Sequence, residues 1–163
     1  MDKLRWCAGK KDGLRLVEPS ANLADAYVRK AEGALESMRA NVSNDWKIAM
    51  AYYTIYFSLY SVLAKIGVKS GIHACTIEFA RRFLGGHFSD AEIEFVEESF
   101  KARIDAQYYV DRGVPDAQCH EMMDTAPEFL VKCKAVLVTL NEKRTNEIRA
   151  GFRKAGRARS PQG

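Results

Sequence analysis

The stretch IAMAYYTIYFSLYSVLA, residues 48–64, lies between Lys47 and Lys65 and carries no charge over seventeen positions. Its length touches the lower limit for a membrane-spanning helix. Four tyrosines, two serines and a threonine are spread along it instead of gathering at two interfaces. That distribution argues against a span and for a central bundle helix, apolar nearly all round because neighbours cover it. Ser43, Asn44 and Asp45 supply N-cap candidates and Gly67 suits a left-handed C-terminal cap, so a helix is expected from Trp46 to Ile66. Tyr52, Tyr56 and Tyr60 fall at i, i+4 and i+8 on one face of it. Core packing with hydroxyls reaching the rim is the favoured reading of that row, and a ligand or partner surface is the other.

The flanking sequence supplies the neighbours. Upstream, Leu23, Tyr27, Ala31, Ala34, Leu35, Met38 and Val42 form one helical stripe behind Pro19 and Ser20, which predicts a helix to about residue 41. Downstream, a shorter helix is expected from Ile72 to Leu84, closed by Gly85 and Gly86. Ser89 and Glu92 then form a capping-box signature ahead of Ile93, Val96, Phe100, Ile104 and Tyr108. Gly113 and Pro115 break that helix, and a last one runs from Pro115 or Asp116 to Leu140, with Pro127 predicting a kink or a two-part helix. Residues 1–19 read as an irregular arm, with Leu14, Leu16 and Val17 hinting at an extended stretch. The expected organisation is an all-α, up-and-down bundle of four to five antiparallel helices over residues 20–149, followed by a disordered basic tail at 150–163.

With 163 residues, 47% of them hydrophobic and 28% charged, the chain is one globular domain and not a disordered or collagen-like polymer. The net charge of +4 is unevenly placed: residues 143–163 hold seven cations and one anion, leaving 18 cations against 20 anions before them. A uniformly basic nucleic-acid surface is therefore not expected. Cys7, Cys75, Cys119 and Cys133 show no CxxC spacing, so they read as reduced thiols of a cytoplasmic protein. Buried small hydrophobes are favoured over a zinc site built from His73 with Cys75 and Cys119 with His120. Neither a phosphate-binding glycine loop, nor HExxH, nor GxSxG is present, so no short enzyme signature and no cofactor is called for.

The far half of the fourth helix is the most distinctive polar region. It presents Lys101, Arg103, Asp105, Gln107, Tyr108, Tyr109 and Arg112, with Arg103 and Gln107 at i, i+4. A solvated helix face is one reading, and a phosphate site is the other. Arg103 would supply the two-pronged contact, with Tyr108 and Tyr109 stacking on a base.

These segments taken in order resemble a known family. Trp46 followed by AYYTIYFSLYSVL, then Gly67 to Ser70 and His73, then KARIDAQYYVDR, then Ala126 with Phe129 and Leu130 are similar to the small prokaryotic HEPN (higher eukaryotes and prokaryotes nucleotide-binding) domain proteins, over about residues 20–142. The resemblance implies a helical bundle that commonly dimerises. Many members work beside a small nucleotidyltransferase as a toxin and antitoxin pair, or act as metal-independent RNases. Arg103, Asp105, Tyr108, Tyr109 and His73 are therefore the nucleotide- or RNA-binding candidates. The family's nucleases place a histidine four to six residues after the arginine, whereas here position 108 is tyrosine and no histidine follows before His120. Tyrosine, with an ordinary pKa near 10, is a poor general base at neutral pH. The modified tyrosine of the family's other variant would fall at 110, which is Val110. A binding module for a nucleotide, RNA or a nucleotidyltransferase partner is thus the first reading. An endoribonuclease using Arg103 with His73 or His120 at a dimer interface is the alternative.

Overall fold

The computed structural model describes residues 2–157. Seven helices are present among them: α1 (Lys3–Gly9), α2 (Ala21–Ala40), α3 (Asn44–Ile66), α4 (His73–Phe83), α5 (Asp90–Tyr108), α6 (Asp116–Thr139) and α7 (Glu142–Arg157). The all-α bundle expected from the sequence is what forms. α3 is its axis, with 15 of its 23 residues buried, and it packs against α2, α5 and α6. No helix among the described residues is long and apolar enough to cross a membrane.

Inter-helix contacts give the directions. The Ser20 amide donates to Ala64 O and Tyr27 packs on Phe57 and Tyr60, so α2 and α3 are antiparallel. Asn44 donates to Asp116 at the start of both helices and Lys65 Nζ reaches Leu137 O at 2.6 Å near their ends, so α3 and α6 run parallel. Lys132, late in α6, pairs with Glu92, early in α5, which sets α5 antiparallel to both. The predicted caps are in place. Ser20 accepts from the Leu23 amide, and Ser89 with Glu92 closes a reciprocal capping box. Gly67 ends α3 at φ 82°, where a side chain would also strike Val17 O, so only glycine fits.

Several expectations need correction. The arm is not irregular throughout: Leu4 and Cys7 are buried on α1, and Arg15–Leu16 pairs antiparallel with Val68–Lys69 as a two-stranded ladder, β1 with β2. The tail is helical through residue 157, because Thr145, Ile148, Phe152 and Ala155 recur at spacings of three and four and turn toward the core. Residues 158–163 of the expected disordered tail lie outside the described residues. On α2 Ala24 is buried with Ala31, Leu35 and Met38, while Leu23 faces solvent, as does Val42 beyond the end of the helix. α6 is one continuous helix through Pro127 and not two. Cys7 and Cys75 are joined in a disulfide, and only Cys119 and Cys133 are free, both buried. That bond removes the thiol argument for a cytoplasmic location. It also takes Cys75 away from any zinc site shared with His73.

The disulfide holds α1 on α4 beside two ion pairs, Lys3 with Glu78 and Asp2 with Arg82. It closes a separation of 68 residues. Arg149 on α7 donates to the carbonyls of Val17, Ile66 and Gly67 at 2.8–3.0 Å, tying α7 to the end of α3.

Leu59 is fully buried on α3. Leu59→Ala should cost about 2–5 kcal/mol in urea unfolding, whereas Val42→Ala at an exposed position should change stability by less than about 0.5 kcal/mol. Cys7→Ser should cost about 2–4 kcal/mol, mainly through the unfolded chain, and adding dithiothreitol to that variant should produce no further loss.

Candidate functional site

The sequence treats Arg103 as a surface cation, and the structure corrects this. Arg103 is 7% exposed, because α5 turns it inward at the same face as Ser99 and Ala106. Its guanidinium carbon lies 5.1 Å from the Tyr52 ring, 5.4 Å from Phe100, 5.6 Å from Tyr53 and 5.7 Å from Tyr108. Its one hydrogen bond among the described residues is a long one, 3.4 Å from Nη1 to Gln107 Oε1, and Nε is buried without a partner. No carboxylate among the described residues pairs with it, although cation–π contacts offset part of its lost hydration.

His73 opens α4 beside Tyr52. The Tyr52 hydroxyl and His73 Nδ1 are 2.7 Å apart, and the imidazole stacks on Tyr56 at 4.0 Å with the planes 7° from parallel. Phe100 contacts both His73 and Tyr52. Burial raises the Tyr52 pKa far above its ordinary value, so its hydroxyl keeps the proton and donates to Nδ1. The neutral tautomer that results carries its proton on Nε2. Burial first, and then the Arg103 charge, lower the His73 pKa to about 4. Tyr56 is pushed up to about 12, again mainly by burial, and its hydroxyl is 3.2 Å from Thr76 Oγ1.

The five candidates therefore separate. Arg103, His73 and Tyr108 gather around Tyr52 and Phe100, with Tyr108 at the exposed rim. Asp105 and Tyr109 do not join them. Arg112 binds Asp105 at 3.3 Å and stacks on Tyr109 at 3.7 Å, forming a second cluster on another side of α5. His120 is exposed on α6, outside the Arg103 group. Clefts of about 320, 550 and 490 Å³ lie elsewhere, the last bordered by Asp105 and Pro115. Tyr52 and Phe100 are the site residues that sequence reasoning passed over. The evenly spaced tyrosine row was the available signal, but row spacing alone does not say that one hydroxyl meets a histidine.

A buried arginine without an anion, ringed by aromatics and one neutral imidazole, can receive a phosphate oxygen and a base. Comparison with protein families returns a match to the HEPN domain over residues 24–136. The chain belongs to the HEPN domain family. The matched span includes α3, α4, α5 and most of α6, so Arg103, His73 and Tyr52 all lie in the HEPN domain. The bundle is thus a helical module of a nucleotide- and RNA-related family. A search of curated proteins returns no match.

The lowered His73 pKa has a signed consequence. In the unfolded chain His73 takes a proton below its ordinary value near 6.5, but in the folded HEPN domain only below about 4. Its contribution to stability is therefore complete above about pH 6.5 and falls as pH drops toward 4. Melting curves across that window should flatten in His73→Gln, with the remaining slope from His87, whose pKa burial also lowers, and toward pH 4 from Glu92 and Glu97, whose pKa values are lowered, against burial, by hydrogen bonds from Ser89 and Arg81.

Proposed function

We propose that this HEPN domain binds a phosphate-bearing nucleotide or RNA end at Arg103, with Tyr108 at the rim placed to stack on the base. The observation that carries the reading is the buried guanidinium with an unpartnered Nε and no carboxylate among the described residues. A phosphate would supply the missing acceptors through charge-assisted bonds, and His73 Nε2–H would add a neutral donor. Family members often dimerise, and a homodimer is part of the proposal. Trp46, Tyr108, Tyr109 and Val110 are exposed at the end of the bundle where α3 begins and α5 stops, an apolar surface suited to a second copy. Work beside a small nucleotidyltransferase, as in toxin and antitoxin pairs, belongs to the same proposal.

A metal-independent endoribonuclease is the second reading, favoured by one observation: folding brings His73, and not His120, to the ring that also carries Arg103. Its low pKa makes His73 a weak base, which supports binding over cleavage.

Arg103→Met separates these roles from a structural one. Methionine removes a poorly compensated buried charge while keeping volume, so the thermal midpoint should hold or rise. Titration calorimetry with a mononucleotide should show binding abolished in Arg103→Met and partly kept in Arg103→Lys. A midpoint that falls sharply with binding unchanged would assign Arg103 to packing alone. RNA cleavage lost in both Arg103→Met and His73→Gln would favour the nuclease.

A further inference from the structure

We infer that the Cys7–Cys75 disulfide is a redox latch on the candidate site: oxidised, it holds the His73 end of that site in place, and a dithiol reductant that cleaves it releases α1 and loosens that end. His73 begins α4, and Cys75 lies two positions on in the same turn. That turn has no side-chain cap of its own, since Ile72 stands at the cap position. The amides of Cys75 and Thr76 return to Ile72 O at 2.9 and 3.1 Å, and Ser70 Oγ donates to the same carbonyl. Everything else that fixes it comes from outside the turn.

One set of outside bonds belongs to α3, where Tyr60, Tyr52 and Tyr56 meet the Ser70 amide, His73 and Thr76. The other belongs to the N-terminal arm. Arg15–Leu16 pairs with Val68–Lys69, the Gly71 amide donates to Asp12 O at 2.7 Å, and Cys7 bonds Cys75. The arm reaches these three points because it folds back after α1: the Leu14 amide donates to Cys7 O at 2.9 Å, in a turn so tight that a side chain at Gly13 would strike that oxygen. α1, the turn and β1 therefore brace residues 68–75 as one unit, with the disulfide as its cross-link to α4.

Without that cross-link the unit is weakly held. α1 is seven residues long, too short to persist alone, and its N-cap side chain makes no capping bond. Leu4 and Cys7 are its buried residues, and its ion pairs, Lys3 with Glu78 and Asp2 with Arg82, rest on the exposed side chains of Asp2, Lys3 and Arg82, which add little. A short element beside a chain terminus opens locally far more readily than a core helix, so the sulfurs, buried when α1 is docked, are reached when it frays. The chemistry is thiol–disulfide exchange. A thiolate of the dithiol attacks one sulfur, forming a mixed disulfide and freeing the other cysteine as a thiol; the second thiol then displaces the protein sulfur, so two electrons pass to the chain and the reductant leaves as its own disulfide. With α1 released, His73 spends less time in place, and affinity falls with the fraction of molecules that keep it there.

The consequence for binding rests on the Arg103 reading, whereas the release of α1 and residues 72–76 does not. The test is hydrogen exchange read by mass spectrometry on the full chain, oxidised and after dithiothreitol, with AMP titrated by calorimetry into both forms. Reduction should raise exchange about tenfold or more in α1 and at residues 72–76, leave α3 and α6 protected, and weaken AMP binding about fivefold or more. Oxidised glutathione should restore both. Cys7→Ser should match the reduced form and ignore dithiothreitol; if that variant fails to fold, the reversible cycle on the wild-type chain decides. The inference is overturned if dithiothreitol cleaves the bond only in denaturant, if exchange rises throughout the bundle, or if residues 72–76 stay protected once the bond is cut. Release of residues 72–76 with AMP bound by neither form upholds the latch and removes the phosphate reading. Equal AMP affinity in both forms, abolished by Arg103→Met, overturns control of the site by the latch and leaves the phosphate reading standing.

Discussion

The hydroxyl row of α3 is the constraint around which the rest is arranged. A helix with 15 of 23 residues buried cannot carry tyrosines at 52, 56 and 60 unless each hydroxyl finds a partner, since an orphaned buried polar group costs more than a made bond returns. All three partners come from one short segment. The Ser70 amide donates to Tyr60, Thr76 meets Tyr56, and His73 meets Tyr52. That three-point match sets where the chain leaves β2 and how α4 begins. It also turns the floor of the candidate site into part of the core, because Tyr52, which bonds His73 through its hydroxyl, also meets Arg103 through its ring.

Placing Arg103 in that floor has an energetic cost. Desolvating a guanidinium costs several kcal/mol, and four aromatic faces at 5.1–5.7 Å return part of it at about 0.5–2 kcal/mol for a strong contact. Under the proposed reading, an anion bound at the guanidinium would return the remainder. His73 stays neutral chiefly because it is buried, and the Arg103 charge beside it lowers its pKa further.

The HEPN body and its flanks contribute differently. The body is slightly acidic, with 16 Asp and Glu against 13 Lys and Arg over residues 24–136, whereas the flanks hold 12 cations against 5 anions. α1 and α7 carry much of that flanking charge, and neither element holds itself in place by propensity alone. α1 is seven residues long, too short to persist as an isolated helix, and stands because Cys75, Glu78 and Arg82 of α4 hold it. α7 stands on Phe152, Ile148 and the Arg149 bonds to three carbonyls.

The bundle and its family were legible in the sequence because they depend on local signals: the uncharged run at 48–64, the Ser89–Glu92 box and Gly67 each act within one or two turns of the chain. Even α7 had a readable stripe at Thr145, Ile148, Phe152 and Ala155, masked by the cations around it. What tertiary structure alone decided is which side chains meet. Cys7 and Cys75 are 68 positions apart without a paired spacing, so nothing local foretold their bond. Arg103 looked exposed because helical period gives a face but not what lies against it, and Asp105 and Tyr109 looked like its companions because they are near in sequence. A residue two positions along an α-helix turns about 200° away, so Asp105 faces Arg112 while Arg103 faces Tyr52. The candidate site is therefore assembled across α3, α4 and α5, from residues whose proximity no one-dimensional pattern encodes.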